Sequence, residues 1–246
     1  MTKTHNSTSI EVKSSHGKGF TLAEILITLT VIGVVAALTI PTLLQNTNQA
    51  ELKAAWKKEF ADINQATMEI ANEKGGSLAG AFAGGNEMIN AYAAHLNYIK
   101  ICYDGTSYLP EGSSCGHVGG DNGFVYKLSG GKAGGSSVGG PSIVLNNGSM
   151  FGIDYISPNC NWAAPNVNRN PNRDACGYAY IDVNGFKKPN TQGKDIFAFY
   201  ILNSGGILPY GIQGSYHANV PASHSCDIIN YPNSAGENCS ADYLYQ

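Results

Sequence analysis

Three groups of residues have types and spacings that could do chemistry. Asp182, Asn184, Asn190 and Asp195 place four oxygen-bearing side chains within the stretch IDVNGFKKPNTQGKDIF. A hard cation such as calcium takes several such oxygens at about 2.3–2.6 Å. The stretch opens like an EF-hand loop, but Gly193 stands where that loop needs its bidentate Glu. The plainer reading is an Asn-Gly turn held by side-chain-to-backbone bonds, with a solvated Asp. The second group is the six cysteines, Cys102, Cys115, Cys160, Cys176, Cys226 and Cys239, none in a C-x-x-C pair. All lie downstream of a long apolar segment, which favours disulfides in an oxidising compartment. Pairing sequence neighbours gives 102–115, 160–176 and 226–239, one set among many. A reducing compartment would leave buried thiols instead. The third is Glu24, a single carboxylate near the front of that apolar segment.

Other chemistries lack their residues. The glycines form no G-x-x-x-x-G-K-[ST] phosphate cradle, and neither G-x-S-x-G nor H-E-x-x-H occurs. Cys115-Gly-His117 and His224-Ser-Cys226 lack zinc-finger spacing, and disulfides would consume their thiolates. The net charge is −3, and Arg169, Arg173, Lys187 and Lys188 make only a thin basic patch. Nucleic acid is not an expected partner, and no enzyme is expected.

The elements that must position these groups start with the N-terminus. Residues 1–19 are polar and carry Lys3, Lys13 and Lys18, and an apolar run extends from Phe20 to Ile40. As a helix it spans about 30 Å, one hydrocarbon core. It outlasts the apolar core of a secretory signal, and no A-x-A-like cleavage site follows it. A lone carboxylate there costs a few kcal/mol on insertion scales, so it calls for a partner. No Lys or Arg lies within a helical turn of Glu24. The nearest possible cation is an α-amine at Phe20, were the chain cut after Gly19. Gly33 and Pro41 bracket β-branched and small residues. Pro41 removes a helical donor and disfavours helix at Ile40, giving a kink or a flexible point.

Downstream, Leu52, Trp56, Phe60, Ile63, Thr67 and Ile70 share one helix face over residues 42–74, and Gly75-Gly76 supplies a stop. The stripe reads as packing under a sheet. A second helix is predicted over about 86–98, with Asn86 as its cap. Residues 111–141 are Gly/Ser-rich loop, with only FVYKL strand-like. SIVL-NNG-SMFGIDYIS reads as a hairpin. YAYIDV alternates Ala179, Ile181 and Val183 on one side. IFAFYIL, 196–202, is apolar on both faces, and 206–212 adds a short edge limited by Pro209. Residues 213–246 show little regular pattern. The predicted fold is α+β: a long helix packed on a small, mostly antiparallel sheet, followed by a loop-rich, stapled C-terminal region.

GKGFTLAEILITLTVIGVVAALTIP, residues 17–41, resembles the N-terminus of type IV pilins and type II secretion pseudopilins. Glycine, Phe, Thr, Leu, Glu, the long apolar run and the later Pro occur in that family's order. The resemblance covers about the first fifth of the chain. It implies cleavage after Gly19 by a prepilin peptidase, methylation of Phe20, and pairing of Glu24 with the N-terminal amine of an adjacent subunit. It implies a stretch around Gly33 and Pro41 that can unwind in filaments. It also implies a disulfide near the C-terminus, here Cys226–Cys239, and, by analogy with the calcium loop of major pseudopilins, calcium at 182–195. The organisation it implies is a leader, 1–19, a membrane and assembly segment, 20–41, and a periplasmic or extracellular globular domain, 42–246. The expected partners are further copies or other pilin-like subunits, the peptidase, the membrane and an inner-membrane assembly platform. The expected role is a filament subunit, with a low-copy tip protein that binds a surface or DNA as the alternative.

Overall fold

The computed structural model describes residues 19–103, 125–133, 140–163, 165 and 174–245. The chain divides into two compact units, Met1–Thr47 and Asn48–Gln246.

Helix α1, Leu22–Glu73, is continuous, with Pro41 inside it. Its membrane-length window is Leu22–Pro41. In the first unit the large apolar side chains described from Phe20 to Leu44 are exposed. Pro41 has no N–H to give the carbonyl of Ala37. The second half of α1 carries the predicted stripe: Trp56, Ile63, Thr67 and Ile70 are buried, and Leu52 and Phe60 pack partly against the same core. Gly75 and Gly76 end the helix with φ of 88° and 93°, and the Gly76 N–H caps the Ala71 carbonyl at 2.7 Å. Positive φ there suits glycine and few other residues.

Helix α2, Gly85–His95, is shorter than predicted, and its N-cap is Gly84 rather than Asn86. Glu87 reaches back to accept the Ala83 N–H at 2.8 Å. Tyr98, predicted as the end of that helix, instead begins strand β1, Tyr98–Cys102. Leu96, already extended, stops the helix and starts the turn into the sheet. Strands β2, Val125–Tyr126, and β3, Lys132–Ala133, make a separate ribbon, so the described residues of FVYKL include two in a strand. The main sheet adds β4, Ser142–Leu145, β5, Met150–Tyr155, β6, Ala175–Asp182, β7, Ile196–Leu202, and β8, Ile207–Pro209. Its order is β1-β4-β5-β6-β7-β8, every pair antiparallel. Pro209 sits on the edge strand, where a missing donor does least harm.

The sheet is covered on both faces. Phe197, Phe199 and Ile201 of β7, with Ala179, Ile181 and Val183, meet Trp56, Ile63 and Ile70 of α1 and Met88, Ile89 and Tyr92 of α2. The alternate residues Ile196, Ala198, Tyr200 and Leu202 form a second core with Val125, Met150, Tyr180 and Tyr210. Strand β7 is thus buried along its whole length, as a run apolar on both faces requires. In the turn after β7, Gly205 lies at φ +84°, and a Cβ there would stand 2.2 Å from the Cβ of Ala71. That glycine lets the turn close onto α1.

The region after residue 212 contains structure that its sequence pattern did not suggest: a 3-10 turn, His217–Asn219, and helices α3, Pro221–His224, and α4, Cys239–Tyr245. Each is too short for periodicity to mark it. Disulfides join Cys160 to Cys176 and Cys226 to Cys239. Cys102 is also disulfide-bonded, and Cys115 lies outside the described residues.

Candidate functional site

The N-terminal segment assembles from Thr21. This residue caps α1, and its hydroxyl accepts the Glu24 N–H at 3.2 Å. Glu24 folds back, its Oε2 accepting the Thr21 N–H at 2.8 Å and the Thr21 hydroxyl at 2.9 Å. This is a reciprocal capping box, in which two otherwise orphaned helix-end donors are satisfied by side chains. Sequence reasoning sought a cation for Glu24 and passed over Thr21, although the T-x-x-E spacing was the available signal. The box also places a negative group at the positive end of the helix.

The other polar side chains of the segment are satisfied in the same inward manner. The hydroxyls of Thr28, Thr30 and Thr39 donate to the carbonyls of Ile25, Leu26 and Val35 at 2.9, 2.7 and 2.9 Å. Every hydroxyl and carboxylate between residues 20 and 41 therefore has a partner on its own helix. Hydrocarbon demands this, because it offers none. Gly33 has open space around its Cα. Gly19 and Phe20 precede the capping box, and both are exposed.

The four residues of the 182–195 loop are brought together. Asp182 Oδ1 accepts the Asn184 N–H at 3.2 Å, and the Asn184 amide donates to the Lys188 carbonyl at 3.2 Å. Asp195 accepts the N–H groups of Asn190 and Thr191 at 2.7 and 2.6 Å, and Asn184 also reaches it. Burial raises the Asp195 pKa, and these donors offset part of the rise. Asp182 and Asp195 are both fully buried, so neither is the solvated Asp of the turn reading. Both carboxylates accept backbone amides of their own loop, which is the bonding that an Asn-Gly turn uses.

Beside α1 lies a cleft of about 270 Å³ lined by Glu59, Asp62, Glu69, His95 and Asn147, among others. Its charges are largely engaged with one another. Lys58 bonds Asp62 at 2.7 Å, and His95 meets Glu69 at 3.0 Å and Glu73 at 3.3 Å.

Residues 15–40 match the family model described as the prokaryotic N-terminal methylation motif, the signature of type IV pilins and pseudopilins. No curated protein and no solved structure matches the chain. The motif and the apolar α1 window together fit an inner-membrane anchor.

Proposed function

We propose that this chain is a structural subunit of a filament of the type IV pilus or type II secretion pseudopilus kind. Prepilin peptidase cuts after Gly19, removing residues 1–19, and Phe20 becomes the methylated N-terminus. Before assembly the subunit is a single-pass protein of the inner membrane, with residues 42–246 outside the cytoplasm. On the assembly platform, residues 20–41 leave lipid for the helices of neighbouring subunits, and Glu24 meets the Phe20 amine of the next copy. The role is mechanical rather than enzymatic.

One observation carries this reading. A helix of membrane length follows Gly19-Phe20, and its hydroxyls and carboxylate are all satisfied internally. A segment so arranged can rest in lipid before assembly. Its exposed apolar side chains then supply the surface that neighbouring copies bury. Glu24 adds register, since a carboxylate paired across subunits is far cheaper in an apolar bundle than one left alone.

Mass spectrometry of the protein recovered from a sheared surface fraction tests the reading. The expected mature chain begins at methylated Phe20. A chain that assembles with Met1 intact would overturn it. Abundance in that fraction separates a main subunit from a tip subunit.

A further inference from the structure

We propose that His217, His224 and Glu237 form a binding site for a divalent transition-metal ion of the imidazole–carboxylate class, with zinc as its natural probe. Each of the three offers one ligand atom, all within 4.8 Å of one another, and His217 Nε2 is 3.9 Å from Glu237 Oε2. Ligands about 2.0–2.2 Å from a tetrahedral zinc stand about 3.3 Å apart, so an ion needs shifts of about an ångström, with His217 moving toward Glu237 and His224 moving away from it. His224 Nδ1 bonds the same Oε2 directly, and an ion entering between them would take the place of that bond. Two imidazoles and one carboxylate are a common zinc donor set with one position left for water. The side chains are 12%, 19% and 10% exposed, which leaves an ion a way in.

Two of the three donors, Glu237 and His217, are held by neighbours that leave the atom facing the others available. The second oxygen of Glu237, Oε1, accepts the Tyr180 hydroxyl and the Gln192 amide, both at 3.2 Å, which turns Oε2 toward the two rings. His217 Nδ1 meets the Tyr200 hydroxyl, and the Tyr210 ring stacks on the imidazole at 3.8 Å between centroids. Zinc at Nε2 leaves the ring proton on Nδ1, and Tyr200 Oη is placed to accept it. Such outer partners fix the tautomer and orientation of ligating histidines. Asn238 ties the two histidine segments together, its N–H donating to the His224 carbonyl at 2.8 Å and its amide to the His217 carbonyl at 3.1 Å.

Other chemistries fit less well. Cys226, two residues from His224, is bonded to Cys239 and has no thiolate to give. Calcium takes about six to eight oxygens, and this set supplies a single carboxylate. His95 lies between Glu69 and Glu73, but they meet opposite ring nitrogens, so one ion cannot use both.

The test uses the full chain with its disulfides intact, in detergent micelles, stripped with EDTA and titrated with zinc, cobalt or calcium chloride. One zinc per chain, an EDTA-reversible rise in Tm, and intense visible absorption with cobalt are expected. Glu237→Gln and His224→Gln should each weaken zinc binding by more than about 100-fold, while Tyr200→Phe weakens it by about 10–100-fold. His95→Gln should bind zinc as the parent does, and calcium should leave Tm unchanged. Glu237→Gln preserves side-chain shape, and far-UV circular dichroism confirms that each variant is folded. Absence of zinc binding by the parent would overturn the proposal, as would unchanged binding in folded Glu237→Gln and His224→Gln. Loss of binding in His95→Gln alone would place the ion elsewhere and overturn it equally.

Discussion

The indole of Trp56 is the best place to test how the helix side of the core is held. Trp56 is fully buried and stacks on Phe197 at 4.8 Å, with Phe60 edge-on at 5.2 Å. Its Nε1–H donates to the Ser240 carbonyl at 3.0 Å, and the Ser240 hydroxyl accepts the Ala198 N–H at 2.9 Å. One ring therefore links α1, α4 and β7. Trp56→Phe keeps an aromatic ring but removes the donor, at about 0.5–1.5 kcal/mol for the hydrogen bond. The smaller ring leaves a void that costs about 1 kcal/mol more on the cavity scale. The sum, about 2 kcal/mol, corresponds to a Tm lower by about 4–8 °C for a chain of this size. Trp56→Ala removes the whole aromatic contact and should cost about 3–5 kcal/mol. Thermal melts of the full chain in detergent, followed by near-UV ellipticity of the tyrosines, would measure both. A Phe variant melting within a degree of the parent would refute the role given to the indole N–H and its fit. Equal losses for Phe and Ala would show that the ring stack contributes little.

Other predictions address the anchor, a buried acid and a tight turn. Glu24→Gln keeps an oxygen for the Thr21 bonds but not the charge; it should insert in membranes normally and yield few filaments. Thr21→Ala should weaken the helix start by about 1 kcal/mol yet still assemble; normal filament yield from Glu24→Gln would sink the pairing idea. Glu59 is 3% exposed, and burial raises its pKa above the ordinary 4.5 despite Lys58 and the Asn147 amide. A raised folded-state pKa means stability that is present below the unfolded value and is lost as pH rises through the folded one. Glu59→Gln should therefore melt higher than the parent at pH 7, with the gap closing below about pH 4.5; a gap that widens in acid would contradict this. Gly205→Ala faces both its positive φ and the Ala71 Cβ, so it should lower Tm by at least several degrees, more than Gly131→Ala, which meets open space.

Much of the fold was legible because its signals are local. The doubly apolar IFAFYIL, the alternation of Ala179, Ile181 and Val183, and the Trp56–Ile63–Ile70 stripe each declare a face within a few residues. The Asn146-Asn147-Gly148 turn declares the hairpin between β4 and β5, and Gly148 does adopt positive φ. Strand β1 was hidden because five residues directly after a helix carry no independent period. Helix α4 was hidden by its length, and it stands on nonlocal support such as the Trp56–Ser240 bond. The His217, His224 and Glu237 cluster has no sequence spacing at all. A 3-10 turn, the end of α3 and a disulfide-closed loop bring it together, with Asn238 as the clasp. Thr21 and Glu24 are the opposite case: their T-x-x-E spacing carried the signal, and it went unread beside the search for a cation.

The bond between Trp56 and Ser240 joins residues 184 positions apart. Helix α1 is made long before α4, which completes its packing. Closing so long a loop must be achieved before its contacts can stabilise anything, which slows folding of such topologies. The Trp56 side of the core is therefore completed only after α4 has been made. Until α4 arrives, the Trp56 indole lacks both its acceptor and one side of its cover. A newly made chain thus has an interval in which its first helix is complete and its core is not.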